Sequence, residues 1–196
     1  MFLVAGLGNP GEEYEFSPHN LGFLTVDRLA ERHGIRVTRK DSRALVGVGE
    51  IEGRAVMLAK PQTFMNLSGT SLAPLMEKHS VGAGDLVVVY DELDLPWMSL
   101  KIKPKGSAAG HNGMKSVIGS LGTSDIVRVR LGIHPGHRIR SGADFVLAPV
   151  KRSQRKELDE LVDYGADGVR SIIAEGVEMA MTKFNRRAPG LNNEEA

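Results

Sequence analysis

The chain has 196 residues, 41% of them hydrophobic and 25% charged, with a net charge of +1; this suits a single globular domain with a substantial core. Any polyanionic partner must therefore be met by a local patch rather than a global field, and with no cysteine disulfides, thiolate nucleophiles and cysteine-bound zinc are excluded. No apolar stretch reaches the length of a bilayer span and the N-terminus lacks the basic start and cleavage site of a secretory signal, so a cytoplasmic protein without membrane contact is expected.

In chain order, Phe2-Leu3-Val4-Ala5-Gly6-Leu7 reads as a short buried strand, because the apolar run is continuous and is bounded by turn residues. The turn Gly8-Asn9-Pro10-Gly11 places Asn9 just past a strand end, where open α/β sheets bind ligands. Gly6 to Gly11 also fits the dinucleotide spacing G-x-G-x-x-G. That reading is disfavoured: Glu12 to Pro18 opens no apolar-periodic helix, Pro18 breaks one, and the glutamates repel a pyrophosphate. An amphipathic helix follows His19-Asn20 and ends at the C-cap Gly34.

Residues 44–49 and 55–58 flank Glu52-Gly53 as a hairpin. Pro61 ends its second strand, and Asn66 or Ser68 caps a helix reaching about His79. Leu86 to Tyr90 is a strand covered on both faces, running into Asp91-Glu92-Leu93-Asp94-Leu95-Pro96. Met98 to Lys103 forms a strand, Pro104 to Gly113 a small-residue loop, Met114 to Leu121 a helix and Ile126 to Ile133 a strand. From Ser153 the pattern is helical, with Gly165, Gly168 and Gly176 marking a break or a close crossing, and 189–196 reads as a disordered tail. The expectation is one α/β domain over 1–188, its mixed, mostly parallel sheet flanked by helices and closed by C-terminal helices.

The loops after strands carry Asn9, Asn66, Asp91 with Asp94, and His111-Asn112, and His19-Asn20 open a helix nearby. Strand ends of a parallel sheet converge on one edge, so a pocket of amides, one or two histidines and a carboxylate is expected. Taken singly, each asparagine suits a helix cap, Asp91 a turn and His111 a structural loop position; the case for chemistry is the convergence. No G-x-S-x-G elbow is present, and the histidines lack helical metal-ligand spacing, so neither a nucleophilic triad nor a metal centre is expected. Amides suit hydrogen bonds to carbonyls and to a developing oxyanion, and a histidine oriented by an aspartate suits proton abstraction from water. The constellation therefore points to hydrolysis of an acyl bond. Lys101, Lys103 and Lys105 alternate, as do Arg128 and Arg130; these are either solvated sheet rows or phosphate contacts, extended by Arg138, Arg140, Lys183, Arg186 and Arg187.

Gly6 to Gly11 with Tyr14, His19-Asn20-x-Gly22, Thr63 to Gly69, Asp91 to Pro96 and Gly110-His111-Asn112-Gly113 stand in an order that resembles bacterial-type peptidyl-tRNA hydrolase from Phe2 to about Phe184. The resemblance implies a monomeric, cofactor-independent and metal-independent enzyme that hydrolyses the ester between a peptide and the 3′ end of tRNA. It implies that His19 is the base, that Asp91 supports it, and that Asn9 distinguishes N-blocked substrates from free aminoacyl-tRNA. Asn66 and Asn112 match the substrate-holding amides, with Asn112 near the attacking water. Tyr14, Asn20, Phe64 and Met65 match contacts to the substrate end, and Lys101, Lys103 and Arg130 a clamp on tRNA phosphate. A non-enzymatic RNA-binding scaffold on the same fold is the competing class; the presence of His19, Asp91 and the asparagines together argues against it. Departures from the family pattern are Ser17-Pro18 before His19, Ser107-Ala108-Ala109 in the loop before His111, and Trp97-Met98.

Overall fold

The computed structural model describes residues 1–185. The tail 189–196, expected to be disordered, and Arg186 and Arg187 lie outside the described residues. Seven strands form one sheet in the order β2-β3-β4-β1-β5-β7-β6. They are β1 (Phe2–Gly6), β2 (Arg39–Asp41), β3 (Ala44–Ile51), β4 (Arg54–Pro61), β5 (Leu86–Pro96), β6 (Leu100–Lys103) and β7 (Val127–His134). The central pairs β4–β1, β1–β5 and β5–β7 are parallel, whereas β2–β3, β3–β4 and β6–β7 are antiparallel. The single antiparallel hairpin expected from sequence is thus joined by a second antiparallel pair at each flank of the sheet.

The helices are α1 (Leu21–His33), α2 (Ser68–Lys78), α3 (Asn112–Leu121), α4 (Gly142–Leu147), α5 (Arg155–Glu175) and α6 (Val177–Phe184). They cover both faces of the sheet. Val4, Val87, Val89 and Val129 pack with Leu21, Leu29, Leu161 and Val169 on one side. Leu3, Ala5, Val88 and Tyr90 pack with Leu72, Leu75, Met114 and Val117 on the other. Successive residues of β1 and β5 thus enter opposite cores, which is why these strands are apolar throughout. No helix among the described residues is long and apolar enough to cross a membrane.

Several local expectations change. Asp91 to Pro96 does not leave the sheet: β5 continues to Pro96, with an irregularity in its pairing to β7 between Glu92 and Pro96. Neither Asn66 nor Ser68 caps α2, whose N-cap is Leu67; the Ser68 hydroxyl instead donates to Met65 O at 2.7 Å. Gly165 and Gly168 continue within α5, and the helical break falls at Gly176. Gly6 and Gly22 serve a close crossing of β1 and α1. A Cβ on Gly6 would lie 2.1 Å from Gly22 O, and one on Gly22 would lie 2.4 Å from Leu7 N. The dinucleotide spacing therefore meets a packing requirement, and only a short 3-10 turn, Glu12–Tyr14, follows it.

Short β2 is tied to the end of α2 by Asp41, which pairs with His79 Nε2 at 2.9 Å and Lys78 Nζ at 3.1 Å. The hydrogen bond from His79, then that from Lys78, holds the Asp41 carboxyl at about 2. A carboxyl depressed on folding contributes stability above its unfolded value near 4 and loses it as pH falls through about 2. Asp41→Asn is expected to lower stability near neutral pH by about 1 kcal/mol, after discounting for the exposed Lys78. It should also flatten the loss of stability between pH 4 and 2, measured by urea unfolding across pH; an unchanged acid limb would contradict the assignment.

Candidate active site

The first two site residues come from β1, whose following turn carries Asn9, and from within β5, which carries Asp91. Leaving β1, Leu7 N donates to Val89 O at 3.0 Å, so the chain stays in register with β5 until the turn. Asn9 is then fixed by Asn20: Asn9 N donates to Asn20 Oδ1 at 2.8 Å, and Asn20 Nδ2 donates back to Asn9 O at 2.9 Å. The Asn9 side-chain oxygen accepts Met65 N at 2.8 Å, which brings the Phe64–Leu67 segment to the same rim. Asn9 Nδ2 makes no hydrogen bond among the described residues and is left to the cleft. Asn20 is therefore a buried bracket between the glycine turn and α1.

His19 lies in the 3-10 turn Pro18–Asn20 that leads into α1. Its Nδ1 is 2.8 Å from Asp91 Oδ2 and 2.9 Å from Asp91 Oδ1. His111 Nε2 meets Asp91 Oδ1 at 2.9 Å from the other side. His111 is also the N-cap of α3, its Nδ1 accepting Met114 N at 3.1 Å. The cap fixes the tautomers: with Nδ1 accepting, the proton of the neutral His111 ring sits on Nε2 and is donated to Asp91. The carboxylate likewise takes the Nδ1 proton of His19, leaving Nε2 of that ring as a free lone pair. Burial raises the Asp91 carboxyl, but the charge that His111 carries when protonated and its hydrogen bond, then the hydrogen bond and corresponding charge of His19, outweigh it and hold Asp91 below the ordinary carboxylate range.

Ligand-type atoms of His19, Asp91 and His111 all lie within 4.8 Å of one another. The N···O separations are hydrogen-bond lengths and each shared proton has a place, so an ion bound at the usual ~2.0–2.2 Å would have to replace this network. His111 does both structural and site work, which its expected role as a loop residue only half describes.

Two adjoining cavities meet at His19, Asn112, Ala143 and Val146. One, of about 330 Å³, is floored by Asp91, Glu92 and His111. The other, of about 320 Å³, is lined by Asn9, Tyr14, Phe64, Met65 and Asn66. Asn9, His19, Asn66, Asp91 and Asn112 thus share one cleft, as their strand-end positions predict. Phe64, 64% exposed, and Leu147 give its mouth an apolar edge. Helix α4 forms the wall opposite; it was not anticipated, since residues 142–147 are too few to show helical periodicity.

The basic rows divide. Lys101 stands opposite Arg130 and Lys103 opposite Arg128 across the β6–β7 pair, so all four share a sheet face. Lys101 and Lys103 are exposed. Arg128, only 1% exposed, does not extend that row: it donates to Ile126 O, Ser107 O and Ser124 O at 3.1, 2.8 and 2.7 Å, fastening the loop that leads to His111. The Arg130 side chain is 11% exposed and its Nη1 pairs with Glu92 Oε1 at 3.2 Å.

A family model described as peptidyl-tRNA hydrolase matches residues 3–192. A peptidyl-tRNA hydrolase of Solibacter usitatus is 80% identical over 196 residues, covering 100% of both chains. That of Koribacter versatilis is 49% identical over 188 residues, covering 95% of this chain and 94% of its own. The crystal structure of peptidyl-tRNA hydrolase from Acinetobacter baumannii superposes with a TM-score of 0.88 at 32% identity, covering 96% of each chain.

Proposed function

This chain belongs to the peptidyl-tRNA hydrolase family, and from that premise we propose that its His19–Asp91 pair activates the water that cleaves the ester of peptidyl-tRNA. Water attacks the ester carbonyl carbon while His19 Nε2 takes its proton. Asp91 holds the resulting imidazolium, and the Asn112 amide steadies the oxyanion of the tetrahedral intermediate. Collapse breaks the bond to the terminal ribose oxygen, which recovers the proton from His19, and releases peptide and tRNA. Asn9 Nδ2 and Asn66 hold the peptide backbone in the cavity edged by Tyr14 and Phe64, and Asn9 favours N-blocked substrates. The enzyme acts as a cytoplasmic monomer that returns tRNA to translation.

The observation that carries this reading is the shared carboxylate: Asp91 receives both imidazoles, with His19 facing the cleft. It is tested by release of N-acetyl-amino acid from N-acetyl-aminoacyl-tRNA, with free aminoacyl-tRNA alongside. Rapid release from the first and slow release from the second are expected. Equal rates on both would remove Asn9 from its role, and no release would remove the reading.

Phosphates of the tRNA are assigned to Lys101 and Lys103, with Arg130 as a partly shielded third contact. Lys101→Ala is expected to weaken tRNA binding and to lower the log–log salt slope by about 0.7–0.9, with turnover at saturation unchanged. An unaltered slope in fluorescence titrations over a salt series would mark the lysines as merely solvated.

A further inference from the structure

Behind the cleft lies another cavity, of about 370 Å³, bounded by Pro18, Trp97, Ile133, Phe145, Pro149 and Lys151. Its volume falls within the range of small-molecule sites, and its lining has their usual make-up of aromatic and aliphatic walls with few polar groups. Pro18 and Trp97 both line it. The Trp97 indole is held in place because its Nε1 donates to Glu157 Oε2 at 3.1 Å. The polar part of the lining is His137, Gln154 and the exposed Lys151, and Lys151 makes no ion pair among the described residues. A cation without a partner beside aromatic and prolyl walls suits a flat apolar body ending in an anion.

The cavity is also placed to be felt in the cleft. Helix α4 turns Phe145 toward this cavity while Ala143 and Val146 line the catalytic cleft. Pro18, on the cavity wall, immediately precedes His19. We propose that this chain has a second binding site here, for a flat aromatic ligand bearing an anionic group, whose occupancy alters turnover without competing with substrate.

Trp97 is the only tryptophan in the sequence, so the protein has one indole N–H resonance and that resonance reports on the cavity directly. The experiment titrates 2-naphthoate, and separately its neutral carboxamide, into the full chain labelled with ¹⁵N. A saturable shift of the indole signal is expected, with naphthoate binding more tightly than the amide. Lys151→Glu, at an exposed position that leaves the fold intact, should weaken naphthoate by about fivefold, the upper end of an exposed ion pair, and affect the amide little. Naphthoate should change kcat for N-acetyl-aminoacyl-tRNA while KM holds. The proposal is overturned by the absence of a saturable indole shift, by equal naphthoate affinity in Lys151→Glu, by an unchanged kcat at saturation, or by competition with substrate, which would place the probe in the catalytic cleft.

Discussion

Asp91→Asn is expected to reduce kcat by about 10⁴-fold, the scale seen when the carboxylate orienting a catalytic histidine becomes an amide. The reason lies in His111. Its Nδ1 is committed to the Met114 N–H, so its Nε2 must donate and will claim the only oxygen of the new amide. The amide NH₂ then faces His19 Nδ1, which must accept rather than donate. The His19 proton moves to Nε2, and the ring presents a donor to the cleft where the reaction needs a lone pair. The loss is therefore one of tautomer. A double variant that also removes the constraint, Asp91→Asn with His111→Ala, should recover part of the rate, because the amide is then free to turn its oxygen toward His19. Single-turnover kinetics on both variants check this; a double variant no faster than the single would contradict the tautomer account.

His19→Ala is expected to cost roughly 10²–10⁴-fold in turnover, the usual range for loss of a general base, with KM little altered. The ring is largely spent on Asp91, leaving Nε2 as its polar contribution to the cleft. A rise in KM with kcat intact would instead make His19 a substrate contact.

Much of this site was legible in the chain because its residues sit at points that backbone geometry marks strongly. Asn9 lies in a glycine turn after an unbroken apolar strand, and Asp91 follows the apolar run Leu86 to Tyr90, so the rule for parallel sheets brings them to one edge. What escaped was set by tertiary contacts. Alternation put Arg128 and Arg130 on one face, but whether that face was wet depended on the loop 104–113 and on Glu92. With those in place Arg128 became an internal fastener for three carbonyls. His111 read as a loop residue because nothing local reveals that its far nitrogen reaches a carboxylate 20 positions earlier. Asp91 to Pro96 looked like a loop because acidic residues and proline are poor strand formers; pairing with β7 overrode that preference. The wall made by α4 gave too few residues for a period to show.

The tautomeric state of the two imidazoles tests the account most directly, by long-range ¹H–¹⁵N correlation on the histidine-labelled enzyme with both rings neutral. Neutral His19 protonated on Nδ1, with His111 protonated on Nε2, is the predicted result. A proton on Nε2 of neutral His19 would leave the cleft without a base and contradict the mechanism.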